Sequence, residues 1–317
     1  MSGRPEADLE GRRALVLGAS GFIGRWVAAA LEGAGARVTP VARDREAAEA
    51  ALTMAGVRAV PVTADLADFD EAAALVREGG PHVVCNLVGY GVDRSERDAD
   101  VAQRLNAELP ARLAALAREN GAALVHAGSA LEYGVADRVG ETDEPRPTTD
   151  YGRTKLAGTR AVEAEVDRGL RGTTARLFTV YGPGEHPGRL LPCLLDAAAS
   201  GDPVELTEGR QARDFTYVAD VAEGILRLAA AERPPAVVNL ATGRLTTVRR
   251  FVELAARELR MEADRLRFGA RPGRPEEMAH EPVPIARLEE STGWRPGVGI
   301  AEGVRRTVEV LGAEEIA

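Results

Sequence analysis

The sequence predicts an α/β fold, a doubly wound parallel sheet with a smaller α/β unit toward the C-terminus. Three observations predict it. From Arg12 onward, short Val- and Leu-rich runs alternate with longer amphipathic stretches, the pattern of repeated β-α-β units. A glycine-rich turn joins the first apolar run to a stretch with helical spacing. After Phe178 the rhythm gives way to segments broken by Pro183, Pro187, Pro192, Pro203, Pro272, Pro275, Pro282, Pro284 and Pro296.

The candidate strands, in order, are Ala14–Leu17, Arg37–Val41, Val57–Val62, His82–Val88, Ala122–His126, Thr173–Leu177 and Val237–Leu240. Between them lie the helical stretches Gly24–Glu32, Glu46–Ala55, Asp70–Glu78, Asp98–Asn120 and Tyr151–Gly169. Right-handed crossovers turn this order into a doubly wound sheet. At about 150 residues per domain, 317 residues make roughly two units. The rhythm assigns 10–178 plus 214–242 to the sheet domain and 179–213 plus 243–317 to a smaller substrate-binding domain.

Composition narrows the function. Hydrophobic residues make up 45% and charged residues 28%, which suits a globular enzyme with ample core material. With 40 Lys and Arg against 49 Asp and Glu, the net charge of -9 offers no general attraction to nucleic acid or anionic lipid. Anionic ligands then require local arginines. Cys85 and Cys193 stand far apart, so neither a disulfide framework nor a cysteine zinc site is expected. His82, His126, His186 and His280 lack metal-ligand spacing, and no metal is assigned. The N-terminal segment is polar and there is no run of 18 apolar residues, so the expected location is the cytoplasm.

The first turn reads Gly18-Ala-Ser-Gly21-Phe22-Ile23-Gly24 between a strand and a helix. Glycines at such a turn allow positive φ and close backbone approach, and the helix N-terminus offers its dipole to a pyrophosphate. This is the dinucleotide site of a Rossmann-type sheet. The second strand ends Val41-Ala42-Arg43-Asp44. Arg43 is either a partner for the 2′-phosphate of NADP or a solvated loop charge, while Asp44 is placed for the ribose hydroxyls of NAD. NADP(H) is the expected cofactor, with NAD(H) the alternative. Asp65-Leu66 sets a carboxylate either near the adenine or at the cap of the next helix.

Tyr151 and Lys155, in Tyr-Gly-Arg-Thr-Lys, fall one helical turn apart on one face. A neighbouring ammonium favours the phenolate and would lower the tyrosine pKa, making it an acid or base. Ser129 follows the Ala122–His126 strand, at the sheet edge where ligands bind, within reach of the same substrate oxygen. Catalytic roles therefore fall to Ser129, Tyr151 and Lys155.

These residues, with Asn-Leu-Val-Gly at 86–89, Ser-Ala-Leu-Glu-Tyr-Gly at 129–134, Leu-Phe-Thr-Val-Tyr-Gly-Pro-Gly at 177–184 and Gln-Ala-Arg-Asp-Phe-Thr-Tyr-Val-Ala-Asp at 211–220, resemble the extended short-chain dehydrogenase/reductases. The resemblance is to their NAD(P)-dependent epimerase/dehydratase group, which acts on nucleotide sugars, and it covers nearly the whole chain. It implies that Tyr151 is the acid/base, that Lys155 orients the nicotinamide ribose, and that Ser129 polarises the reacting carbonyl or hydroxyl. It further implies cofactor contacts from Gly18, Gly21, Phe22, Ile23, Gly24, Arg43, Asp65, Leu66, Leu87, Val88, Gly89 and Asn106. Substrate contacts are implied for Ser129, Ala130, Thr179, Tyr181, Arg189, Arg213 and Arg271, the arginines suiting a diphosphate. Asp214 and Asp220 read as caps of a helix returning to the sheet.

Departures from the family pattern refine the reading. Ala130 and Leu131 stand where the 4,6-dehydratases carry an Asp-Glu pair, and apolar side chains cannot remove or deliver the protons of water elimination. Glu132 is a nearby carboxylate that strand spacing would turn to the side of Ala130. Asn86 replaces a common histidine, Thr179 a common asparagine, and Arg274 a common acid. The resemblance leans to an NADPH-dependent 4-ketoreductase of NDP-4-keto-6-deoxyhexoses in deoxysugar biosynthesis. A 4-epimerase with tightly bound NAD is the alternative, and a non-catalytic dinucleotide sensor the remote one. The family also implies a homodimer through 98–120 and 151–169, with neither nucleic acid nor membrane as partner.

Overall fold

The computed structural model describes residues 9–92, 95–136, 138–273 and 280–312; Arg274 and Pro275 lie outside these. The first half runs β1 (Arg13–Leu17), α1 (Phe22–Gly33), β2 (Arg37–Ala42), α2 (Arg45–Met54), β3 (Val62–Thr63), α3 (Phe69–Gly79), β4 (Val83–Asn86), α4 (Ala99–Gln103), α5 (Leu109–Glu119), β5 (Ala123–Ser129) and α6 (Asp150–Val166). The second half runs β6 (Gly172–Leu177), β7 (Thr179–Tyr181), α7 (Leu190–Ser200), β8 (Val204–Leu206), β9 (Ala212–Tyr217), α8 (Val218–Ala230), β10 (Val237–Leu240), β11 (Leu245–Thr247), α9 (Val248–Glu258), β12 (Leu266–Phe268), α10 (Ala286–Thr292) and α11 (Ile300–Val310).

Seven strands form one sheet in the order β10-β6-β5-β4-β1-β2-β3, every neighbouring pair parallel. The order reverses between β1 and β4, the point at whose carboxyl-end side a doubly wound sheet receives its ligand in a crevice. Both sheet faces are buried, which explains the near-continuous apolar strands. One core packs α1 and α8 on the sheet through Val27, Leu31, Val221 and Ile225. The other packs α3, α5 and α6 through Val76, Leu109, Leu113 and Val162. A third core, around Leu191, Leu194, Phe215, Phe251 and Val304, belongs to the small β11-β9-β7 sheet and its helices.

The structure shortens some predicted elements. The third strand is only Val62–Thr63, not Val57–Val62. Val57 instead closes the end of α2, its amide on the Leu52 carbonyl at 2.9 Å, and Pro61 has no N–H to give a sheet edge. The predicted 98–120 helix is interrupted by a π turn at Arg104–Glu108. Pro110, in the first turn of α5, cannot donate the i→i−4 bond to Asn106, and the ladder widens there. Conversely, β5 runs three residues beyond the predicted His126, so Ser129 ends the strand itself.

The π turn and α6 meet at a glycine. A Cβ on Gly158 would overlap the Asn106 carbonyl oxygen, which is backbone and cannot swing away. Gly158→Ala is expected to cost about 1–3 kcal/mol in urea unfolding, the range for overpacking a filled core.

Candidate functional site

The site begins with the turn between β1 and α1. Gly18 has φ +80°, and the amides of Gly18 and Ala19 both donate to the Val41 carbonyl at 3.1 and 3.0 Å, anchoring the turn to β2. Gly24 lies against the Gly18 carbonyl so closely that any Cβ would overlap it. The N-cap of α1 is Gly21, with no side chain capping the helix end. This cradle, with Phe22 and Ile23 as the first helical residues, fits a pyrophosphate and hence a dinucleotide. Trp26 Nε1 donates to the Pro183 carbonyl at 3.0 Å, tying the loop after β7 to the first turns of α1.

At the end of β2, Asp44 is the N-cap of α2, its Oδ1 accepting from the Ala47 amide at 3.0 Å. That leaves Arg43, exposed, as the charged side chain presented at the strand end. Asp65 accepts from the Ala67 amide, and the cap of α3 is Asp68, so the capping alternative for Asp65 is corrected. Leu66 is buried in the core beside α3. Leu87, Val88 and Gly89 continue β4 into the crevice; Leu87 N donates to Leu17 O and Val88 N to Asn86 Oδ1. Asn106 is fully buried and turned inward: Oδ1 accepts from Tyr90 N, and Nδ2 donates to Tyr90 O at 2.7 Å and Thr154 Oγ1 at 3.0 Å. It clamps the loop after β4 to α6.

Ser129, Tyr151 and Lys155 come together where β5 ends against α6. Thr149 caps α6 by accepting from Gly152 N, setting Tyr151 in the first turn and Lys155 one turn on. The Tyr151 hydroxyl shares a hydrogen bond with Ser129, whose Oγ also accepts from Leu131 N at 3.2 Å. Gly91, at φ +98°, passes so near the Tyr151 ring that a Cβ would sit 3.3 Å from Cδ2. Burial pushes the Tyr151 phenol up to about 12, against the opposing pull of Ser129 and the Arg189 charge. The expected pull of Lys155 toward neutrality is not among the causes of this shift; desolvation of the phenolate outweighs the Ser129 hydrogen bond and the Arg189 charge. Lys155 is itself lowered to about 8 by burial, partly offset by the negative charge of Glu132.

Ala130 is buried in a 3₁₀ turn, Leu131 points outward and Glu132 points inward, with 0% exposure. From the small sheet, Thr179 opens β7 half-buried, and Arg189 reaches across to the Val92 carbonyl at 3.4 Å, where its charge acts on Tyr151. Glu185 lies beside Arg189, pushed up to about 8 by burial. Tyr181 is a correction: it is 2% exposed and packs on Tyr217 and Phe251 in the small core, closed off by α11 through Gly303. Arg213 lies half-buried on β9, donating to its neighbour's carbonyl at 3.0 Å, and Arg271 is exposed beside Glu205 at 3.9 Å. Asp214 and Asp220 do not cap α8, whose N-cap is Tyr217. Asp214 instead holds Thr242 and Arg244, and Asp220 holds the amides of Gly297 and Val298. Among the described residues no cluster of His, Cys, Asp and Glu could hold a metal, and no helix is long and apolar enough to cross a membrane.

The residues 14–241 match the NAD dependent epimerase/dehydratase family. The chain belongs to that family of NAD(P)-dependent enzymes acting on nucleotide sugars. It is 34% identical over 309 residues to a dTDP-6-deoxy-L-talose 4-dehydrogenase (NAD(P)(+)) of Kitasatospora kifunensis, covering 92% of this chain and 93% of that one. It is 30% identical to a probable UDP-glucuronate 4-epimerase of Rhizobium meliloti, over 77% of this chain and 78% of that one. Among solved structures it resembles MoeE5 in complex with UDP-glucuronic acid and NAD, with a TM-score of 0.80 and 28% identity over 95% of this chain and 99% of that one.

Proposed function

We propose that the enzyme reduces the 4-keto group of an NDP-4-keto-6-deoxyhexose with NADPH. The observation that carries this reading is the Tyr151 hydroxyl in hydrogen-bond contact with Ser129, with apolar Ala130 and exposed Leu131 where elimination would need an acid and a base. Likeness to a 4-dehydrogenase of a deoxysugar nucleotide supports chemistry at C4.

A bound nicotinamide would supply the hydride. The protein's own part is to place and move a proton. Tyr151 Oη, protonated at neutral pH, is the donor to the C4 oxygen as charge develops on it. Ser129 Oγ, accepting from Leu131 N and in hydrogen-bond contact with Tyr151, would turn its proton from the tyrosine to that same substrate oxygen. Lys155, buried one helical turn beyond Tyr151, carries a positive charge below about pH 8. Arg189, spanning from α7 to the loop after β4, is a guanidinium whose charge reaches Tyr151 and suits an anionic substrate group. Arg213 and Arg271 are assigned to the diphosphate. Arg43, left exposed while Asp44 caps α2, is the group that favours NADP over NAD.

A 4-epimerase with retained NAD is the second reading, favoured by the 30% identity to a 4-epimerase over most of both chains. Denaturing the freshly purified protein and identifying the released nicotinamide separates the two. An empty site or bound NADP is expected; stoichiometric NAD would establish the epimerase. Tyr151→Phe should lower turnover of 4-keto sugar nucleotides about 10²–10⁴-fold while leaving the cofactor Kd unchanged. Arg43→Ala is expected to weaken NADPH by about 10-fold or more in a fluorescence titration, the loss of a charge-assisted bond, with NADH little affected.

A further inference from the structure

We propose that Glu132 is a positioning residue for the reaction: its buried carboxylate, paired with Arg176, locks the turn that carries Ser129 against α6 and β6. The inference rests on the catalytic roles of Ser129, Tyr151 and Lys155 and adds to them a side chain that faces away from the crevice.

Four interactions converge on this carboxylate. Oε1 accepts from the Ser129 amide at 2.8 Å, closing a capping box with the Ser129 hydroxyl. Oε2 accepts from Thr159 Oγ1 at 2.9 Å and from Arg176 Nε at 2.8 Å, and its charge reaches Lys155. Three elements are thereby joined at one point: the end of β5, the face of α6 one turn beyond Lys155, and β6. Both Glu132 and Arg176 are buried, and the Arg176 guanidinium lies 4.4 Å from the centre of the Tyr133 ring. Gly128 makes room, since a Cβ there would stand 2.8 Å from Glu132 Oε1 and 2.6 Å from Thr174 Cγ2.

The charges around this point are few. α6 contributes Lys155, Tyr151 and, at the rim, Glu163, whose carboxyl burial pushes up. β5 contributes His126, held neutral by burial and by Lys155, with its Nδ1 3.2 Å from Asn86 Nδ2 on β4. β6 contributes Arg176, and the turn contributes Tyr133 beside it. Arg176 is paired directly with this carboxylate, and the same charge favours the ammonium of Lys155, buried on α6. Without that anion the ammonium of Lys155 is less favoured, so it gives up its proton at a lower pH. Any step that needs charged Lys155 then fails at a lower pH as well.

The test is Glu132→Gln in the full chain, read by kcat, by KM and by cofactor titration of the apo protein across pH. At neutral pH we expect kcat to fall about 10–100-fold with KM and the NADPH Kd within about 3-fold, the pattern of a lost transition-state interaction. The pH at which NADPH affinity and kcat decline on the basic side is expected about one unit lower than in the unaltered protein. Glu132→Gln with Arg176→Met removes both members of the pair, which favours folding over removing one. In that double variant stability should return while the displaced basic decline remains, because Lys155 still lacks its anion. The proposal is overturned if Glu132→Gln leaves kcat and the basic decline unchanged, or if both recover fully in the double variant. Should Glu132→Gln fail to fold, the position of the basic decline in the double variant decides the question instead. If the unaltered protein turns over no 4-keto sugar nucleotide, the reductase reading fails, and the cofactor titrations still decide the role of Glu132.

Discussion

An ion pair sealed between the sheet and a helix governs the geometry of the reacting corner. Arg176 and Glu132 meet at 2.8 Å with side-chain exposures of 3% and 0%. Charges so placed lose their hydration, and only close pairing with further hydrogen bonds compensates for it. Thr159, the Ser129 amide and the Tyr133 ring complete that shell. Breaking one member of such a pair typically destabilises by about 3–5 kcal/mol, so the corner tolerates little drift. The Ser129 hydroxyl inherits this rigidity, since its own strand end is one of the ligands of the carboxylate.

The wider architecture brings the remaining groups to the same edge for a different reason. A parallel sheet sends every strand's carboxyl end the same way, so the glycine turn after β1, the loop after β4 and Ser129 after β5 share one rim without contact in sequence. The small β11-β9-β7 sheet closes over that rim. Its attachments are specific: the Trp26 indole on Pro183, Arg189 on Val92, and Asp220 holding the 297–298 backbone against α8.

Much of this was legible in the sequence because it depends on local pattern. The Gly18-to-Gly24 spacing and the Tyr151–Lys155 pair need only a strand, a turn and a helix to acquire meaning, and the structure sets Ser129 against Tyr151 with Lys155 one helical turn on. What escaped depends on contacts remote in sequence. Tyr181 looks like a cleft residue from its Tyr-Gly-Pro-Gly context, yet it lies in a core built with Tyr217, Phe251 and Gly303. Asp214 and Asp220 have the residue type and position of helix caps, but loops at 242–244 and 297–298 compete for them. The inward turn of Glu132 follows from a 3₁₀ turn that strand alternation cannot foresee; its signal was the Ser129-to-Glu132 spacing of a capping box. The raised Tyr151 pKa was hidden because it arises from desolvation, which no pair spacing reports.

The π turn between α4 and α5 has a further meaning for how the chain can change. Such a turn carries one residue more than an α-helix of the same path, and each helical residue advances the face by about 100°. Deleting a residue within 104–108 would therefore leave an ordinary α-helix on that same path, with α4 and α5 still in phase and only the turn itself rewound. The Leu109, Leu113 and Leu116 stripe would stay on the sheet, while Asn106, inside the rewound turn, would lose the backbone placement that aims its amide at Tyr90 and Thr154. Insertions and deletions are ordinarily best tolerated at surface loops. Here a helix interior sets the phase of a buried amide, so the length of this segment is as constrained as its composition.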